Sequence, residues 1–287
     1  LGLLAWALKR RSRCRSYLVL RDIFPEWAVD MGLMGRGLPY RFFKLVERLQ
    51  YAVADVIGVQ AQSALAYFAT WARGPGRRVE VLQNWLADAP VQHCSISVSR
   101  GPLAGRRIFV YAGNMGLAQG MDLLLDLAAA MRERSDVGFL FVGRGSEAVR
   151  LRDAAVQRGL DNVQFHDEID PVEIPALYAQ CHVGLVALDP RHRTHNIPGK
   201  FLSYMWAGLP VLASINRGND LAAMIRQSGV GCVCEEQEVM PLRRGAEELL
   251  KLIAEDGPGL RRRCRQLAAH LFSPEAAARQ IVAGLRA

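Results

Sequence analysis

The sequence predicts an α/β protein of doubly wound parallel sheets, and three observations carry that expectation. Short apolar runs alternate with stretches of helical periodicity along the chain. From residue 107 onward the alternation is regular and supplies six strands, enough for a complete Rossmann-like domain. The length of 287 residues, 51% hydrophobic and 22% charged, suits one large globular domain or two ordinary ones. Before residue 88 the same pattern yields only three strands. Two Rossmann-like domains are therefore expected, the first incomplete and lacking its N-terminal βαβ units.

In chain order, Tyr17–Leu20, Val56–Val59 and Val79–Leu82 read as the strands of the first domain, residues 1–87. Pro39 to Ala54 has amphipathic spacing, with Phe42, Phe43, Val46, Leu49 and Val53 toward one side. Residues 88–106 are polar, with Pro90, several serines, Gly101 and Pro102, and read as a linker. The second domain, residues 107–270, is expected to form strands at Ile108–Ala112, Gly138–Val142, Val163–Phe165, Val183–Ala187, Pro210–Ala213 and Val230–Val233. Helical stretches lie near 121–134, 146–158, 172–180, 199–207, 219–228 and 241–255. Residues 271–287 read as a C-terminal helix that packs back on the first domain.

The net charge is +8, and residues 1–84, with 13 Lys and Arg against 6 Asp and Glu, hold +7 of it. A polyanionic partner is sought in that first third. Lys9-Arg10-Arg11-Ser12-Arg13-Cys14-Arg15 is dense in charge, and Arg41, Lys44 and Arg48 share a helix with Phe42 and Phe43. Such a surface suits peripheral contact with anionic lipid; a merely solvated face is the competing account. No nucleic-acid partner is expected, because no RNP, helix-turn-helix or zinc motif is present. No segment reaches 18 consecutive apolar residues, and basic residues follow the Leu1–Leu8 run instead of preceding it, the reverse of a secretion signal. The six cysteines show no CxxC spacing and read as thiols of a reducing compartment, so a cytoplasmic location is expected. The composition excludes a disordered tail, a collagen-like repeat and a small disulfide scaffold.

Open α/β sheets bind ligands beyond the C-terminal ends of their strands, and four such places carry unusual residues. Gly113-Asn114-Met115-Gly116, with Gln119 and Gly120, follows Ile108–Ala112; the glycines would let backbone N–H groups approach an anion or sugar. An ordinary strand-to-helix turn is the alternative. Gly143-Arg144-Gly145-Ser146-Glu147-Ala148 matches the dinucleotide fingerprint and makes NAD a rival ligand, yet it follows the domain's second strand instead of its first. Asp189 to Lys200 packs three cations, His192 and His195 into almost no apolar content, with Lys200 in the first turn of a helix. A cation opposes the dipole there unless an anion binds between them. The two histidines stand i,i+3 on a loop without a nearby carboxylate, so no metal site is expected. Arg21-Asp22-Ile23-Phe24-Pro25-Glu26-Trp27 follows the first strand and reads as a cleft edge or as a helix cap.

Together these motifs resemble retaining glycosyltransferase family 4, in its bacterial O-antigen and capsule branch. Ile108 to Gly120 is similar to the strand-loop-helix that opens that family's donor domain. Asn196-Ile197-Pro198-Gly199-Lys200-Phe201-Leu202-Ser203-Tyr204-Met205-Trp206-Ala207-Gly208-Leu209-Pro210-Val211 is similar to its nucleotide-sugar signature. Arg21 to Glu26 resembles its R-D-L-W-P-E turn, and Glu80-Val81-Leu82-Gln83-Asn84-Trp85 the strand leading to its hinge.

The resemblance implies a GT-B fold: two Rossmann-like domains, no metal or other cofactor, and a nucleotide-sugar as substrate. A UDP-sugar would donate, with retention, to a glycan or polyprenyl-diphosphate acceptor at the cytoplasmic face of the inner membrane, in surface polysaccharide biosynthesis. By the same resemblance Gly113, Asn114, Gly116 and Gln119 would approach the donor. Gly143, Gly145 and Ile169 would line the base, and Arg193, Asn196, Pro198, Gly199, Lys200 and Ser203 would hold the diphosphate and sugar. Lys200, His195 and Asp22 are the catalytic candidates. The family's E-x7-E pair falls on His195 and Ser203, and its diphosphate-gripping Arg and Lys fall on Asn114 and Gln119. A nucleotide-sugar-binding module without transfer activity, and a nucleotide-sugar epimerase of the same fold, are the alternatives.

Overall fold

The computed structural model describes residues 2–191 and 197–286, which form two units. The first takes the described residues up to Trp85 and from Leu271 onward, with Arg191 and Ile197. The second takes Leu86–Pro190 and Pro198–His270.

The first unit opens with α1(Gly2–Ser12), β1(Tyr17–Leu20), α2(Glu26–Asp30), α3(Leu38–Val53), β2(Val56–Val59) and β3(Arg78–Val81). The strands form a parallel sheet in the order β1-β2-β3. Central β2 is buried at every position, which its apolar run Val-Ile-Gly-Val allows. Helix α1 covers the apolar opening from Gly2 and the basic cluster as far as Ser12, a helix the sequence pattern does not announce. Lys9 accounts for part of it: its ammonium pairs with Asp55 at 2.8 Å and donates to the Val53 carbonyl at 2.8 Å.

Helix α3 corrects the expected burial pattern. Phe42 is 61% exposed and Leu49 is 49% exposed, while Glu47 and Tyr51 are the buried residues. The reversal has an electrostatic cause. Lys44 pairs with Glu26 at 2.9 Å and with Glu47, and the Tyr67 hydroxyl donates to Glu47 at 2.7 Å. A carboxylate so partnered tolerates burial that hydrophobic periodicity alone would assign to Phe42 or Val46. The C-terminal helix, to which Gln280 belongs, lies in this unit. Gln280 Nε2 donates to Glu80 Oε1 at 3.1 Å and to the Val81 carbonyl at 2.7 Å, and the Tyr17 hydroxyl shares Glu80 Oε1.

The second unit contains β4(Arg107–Ala112), α4(Met121–Ala130), β5(Val137–Val142), α5(Ala148–Gln157), β6(Val163–His166), α6(Ile174–Ala179) and β7(Val183–Ala187). It continues with α7(Gly199–Ala207), β8(Val211–Ser214), α8(Asp220–Ser228), β9(Gly231–Cys234) and α9(Val239–Leu271), of which the last residue belongs to the first unit. α10(Pro274–Arg286) is the C-terminal helix described above. Six parallel strands run in the order β6-β5-β4-β7-β8-β9, the doubly wound arrangement, with the order reversing between β4 and β7. Stacked rings of Phe109 and Phe139, 5.2 Å apart, belong to the core on the face covered by α4 and the first half of α9.

Helices α7 and α8 stop where glycine takes the left-handed conformation, at Gly208 (φ 70°) and Gly229 (φ 59°). Helix α9 kinks at Asp256, two residues before Pro258, and the Asp256 carboxylate caps the second half by accepting from Gly259 N at 3.0 Å. Residues 88–106, expected as a linker, are tied into this unit. Gln180 accepts from Val98 N at 2.9 Å and donates to the Ile96 carbonyl, and Leu103 is fully buried against Gly138.

Candidate functional site

The sheet opens where β4 and β7 part. Those strands are paired only at Phe109↔Val183 and Val110↔Gly184. Beyond that point the hydroxyl of Tyr204, from α7, stands between the carbonyls of Val110 (3.1 Å) and Leu185 (3.2 Å) and donates toward both. Its ring occupies the space left by Gly184, where an added Cβ would lie 2.6 Å from it. Tyr204 thereby pins α7 against the switch point, and Lys200, four residues earlier, shares its side of the helix.

The loops after β4 and β5 lie backbone to backbone. Gly113 N donates to the Val142 carbonyl at 2.9 Å, Met115 N to Arg144 O at 2.7 Å and Glu147 N to Met115 O at 3.0 Å. Gly143 (φ 139°) and Gly145 (φ 151°) adopt conformations that suit glycine, and a Cβ would stand 2.1 Å from Gly113 O or 2.3 Å from Met115 O. This approach of two loops accounts for the fingerprint glycines without a pyrophosphate. It removes the structural argument for NAD.

Between these loops and the start of α7 lies a cleft of about 590 Å³. Gly113, Asn114, Gly143, Ile169, Lys200 and Ser203 line it, as do Arg144, Glu168 and Tyr178, which the sequence reading did not single out. Arg144 and Glu168 form an exposed ion pair at 2.9 Å. Five of the expected donor contacts, Gly116, Gln119, Gly145, Pro198 and Gly199, are not among the residues that line the cleft. Gln119 Oε1 accepts from Gly116 N at 2.9 Å and from Asn114 Nδ2 at 3.3 Å, so Gln119 and Gly116 shape the loop, and Gly145 serves loop packing. Pro198 and Gly199 stand at the α7 N-terminus as its cap and first residue. Asp22 belongs to the first unit, exposed after β1. Arg193, His195 and Asn196 lie outside the described residues, as does His192.

Lys200 is the electrostatic centre of the cleft. Its Nζ lies 3.7 Å from the centroid of the Tyr111 ring, and among the described residues no carboxylate pairs with it. Burial lowers its pKa from 10.5 to about 7. The first N–H groups of α7 lack intrahelical acceptors, so ammonium and helix terminus together prefer an anion. Tyr111 and Tyr204 stand inside the motif stretches without being singled out there; Gly184 inside an apolar strand and the i,i+4 spacing of Lys200 and Tyr204 are the signs that could have revealed Tyr204. Among the described residues no group of three or more His, Cys, Asp or Glu is placed to hold a metal ion. No described helix is long and apolar enough to cross a membrane.

Comparison with known proteins agrees with this architecture. A protein described as a probable glycosyltransferase, WbjE of Pseudomonas aeruginosa, is 24% identical over 240 residues, covering 82% of this chain and 60% of the relative. A candidate colanic acid biosynthesis glycosyl transferase, WcaI of Escherichia coli K12, is 24% identical over 254 residues, covering 85% of this chain and 62% of the relative. The chain thus spans three-fifths of the length of these relatives. Among solved structures, HepE of Anabaena in complex with UDP-glucose superposes with a TM-score of 0.72 at 16% identity, over 99% of this chain and 76% of that one. WaaG, a glycosyltransferase involved in lipopolysaccharide biosynthesis, gives a TM-score of 0.66 at 18% identity, over 97% and 80%. These structural likenesses show the fold, a GT-B-like α/β architecture of parallel sheets. The family described as glycosyl transferases group 1 matches residues 106–252, just over half of the chain, and the chain belongs to that family.

Proposed function

We propose that this chain belongs to a retaining glycosyltransferase of family 4, which moves a sugar from a UDP-sugar to a glycan or polyprenyl-diphosphate acceptor in surface polysaccharide biosynthesis. One observation carries the reading: an ammonium without a carboxylate partner among the described residues, at the first turn of α7, in a cleft at the switch point of a doubly wound sheet. HepE, which shares the fold, was solved with UDP-glucose, and that supports a uridine donor.

In this reading Lys200 and the N-terminus of α7 receive the diphosphate, the bare backbone of Gly113 admits it closely, and Asn114 and Ser203 flank it. Gly143 and Ile169 frame the end that takes the base. As the bond from the anomeric carbon to the phosphate oxygen breaks, its electron pair moves onto the diphosphate. Lys200 and the helix terminus then stabilise charge that exists fully only once the bond has stretched. The acceptor oxygen bonds to the anomeric carbon on the same face, and its proton passes to the departing phosphate. Arg193, His195 and Asn196, which precede Ile197 in the sequence, are assigned to the sugar and phosphates, and Asp22 to the acceptor side. No metal takes part.

Calorimetry of the full chain is expected to show UDP binding, with GDP and ADP weaker and NADH inert. Binding of NADH in preference to UDP would overturn the reading. Release of sugar to an acceptor separates a transferase from a binding module, and conversion of the donor without acceptor identifies an epimerase.

Peripheral contact with the cytoplasmic face of the inner membrane belongs to the same proposal. Leu3, Leu4, Trp6 and Leu8 are exposed on α1 beside Arg10 and Arg11, as an interfacial helix presents them. Phosphatidylglycerol vesicles are expected to sediment the protein at low salt and phosphatidylcholine vesicles to leave it in solution. Equal partitioning would exclude the electrostatic contact.

A further inference from the structure

The seat of the Lys200 ammonium is built with more care than a solvated lysine requires. Tyr111 is fully buried on β4, and its hydroxyl donates to the Asn114 carbonyl at 2.6 Å, so the ring is held at both ends. The Tyr204 anchor fixes α7 against β4 and β7, which sets the reach of Lys200. An added Cβ at Gly113 would lie 3.7 Å from Lys200 Cε, so the side chain passes over that bare backbone into the cleft. At 3.7 Å the ammonium meets the negative face of the ring in a partly desolvated site, where a cation–π contact is at its strongest.

We propose that Tyr111 is a positioning residue: its π-face is the resting seat of the Lys200 ammonium, which holds the charge in place until an incoming diphosphate takes it over. The proposal rests on reading the cleft as a diphosphate site. A ring offers a quadrupole and a diphosphate offers full negative charge, so the ammonium transfers to the anion while its stem stays placed. The other ionisable groups facing the cleft do not compete for this role. Arg144 and Glu168 are paired with each other. Burial pushes the phenols of Tyr111, Tyr178 and Tyr204 upward, so all three rings stay neutral through the physiological range.

Lysine-selective carbon-13 NMR of the full chain observes Lys9, Lys44, Lys200 and Lys251 alone, and Lys200 is expected to titrate near pH 7. Tyr111→Phe keeps the ring and is expected to leave that midpoint and UDP affinity within about twofold of the parent. Tyr111→Leu removes the π-face and is expected to lower the midpoint by about one pH unit. Tyr111→pentafluorophenylalanine keeps the shape and withdraws the electron density, so it separates the π-face from packing and is expected to behave like the leucine variant. In a Lys200→Met background none of these changes should alter the residual UDP affinity. A midpoint unchanged or raised on fluorination overturns the proposal, as does an equal loss of UDP affinity with and without Lys200. If wild-type protein does not bind UDP, the nucleotide reading fails, and the NMR midpoints still decide the seat.

Discussion

Lys200→Met is expected to weaken UDP binding about a hundredfold or more and, at neutral pH, to raise the melting temperature of the unliganded protein. The first effect follows from truncating a charge that faces phosphate in a partly desolvated cleft, a loss of about 2–5 kcal/mol at comparable interfaces. The second follows from linkage. Lysine in the unfolded chain titrates near 10.5, and burial brings folded Lys200 to about 7. Between those values the unfolded chain holds a proton that the folded one has lost, so stability rises with pH across that window. The full cost of the buried ammonium is present below pH 7. Methionine has a similar stem and no charge, so the gain is on the order of 1–3 kcal/mol at about pH 6 and vanishes near pH 10.5.

The same titration is expected to give UDP binding a pH dependence. A complex that favours the protonated lysine would lose affinity as pH rises past about 7 in the parent, and Lys200→Met is expected to lose that dependence. Calorimetry and thermal melts at several pH values read both effects. Unchanged UDP affinity would remove Lys200 from the site, and a melting-temperature gain that persists at about pH 10.5 would show that the ammonium is not its source.

The second large effect is expected at the paired loops. Gly143→Ala would drive a methyl group to 2.1 Å from the Gly113 carbonyl, and Gly145→Ala to 2.3 Å from that of Met115. Neither neighbour is the end of a flexible side chain, so the loops must separate and break the Gly113 N and Met115 N bonds that join them. The strained dihedral and the collision together are expected to cost about 3 kcal/mol or more for each variant, and to loosen UDP binding because Gly113 leaves its place. Gly159→Ala is the control. It also has a positive φ, 60°, but meets only the tip of Arg132 at 3.8 Å, so a loss of about 1 kcal/mol is expected. Equal destabilisation at all three positions would show that the dihedral, and not loop contact, sets the cost.

The cleft was legible in part. A strand stands at each place where the sequence pattern put one, because apolar runs between turn residues are a local signal and a parallel sheet repeats it. Glycines directly after Ala112 and Val142, and a lysine at a helix start, are likewise local, and Gly113, Gly143 and Lys200 line the cleft. What those groups meet was not legible. Gly143 answers to Gly113 thirty residues earlier, and Gly184 to a ring on α7, so neither requirement shows in its own neighbourhood. The resemblance placed Gln119 where the family grips the diphosphate, yet its amide oxygen accepts from Gly116 N and closes the loop on itself.

The burial of α3 fails for the same reason. Hydrophobic periodicity places Phe42 and Leu49 inward, but Glu47 is buried instead, paired with Lys44, which also meets Glu26 from α2. The sequence by itself therefore determined the fold class, the strand positions and the strand ends at which the cleft opens. Those depend on the period of side chains along one segment. The tertiary structure alone decided which charge is partnered, which glycine makes room for which neighbour, and that Lys200 rests on Tyr111. Close approach and desolvation are set by residues distant in the chain, and no local pattern encodes them.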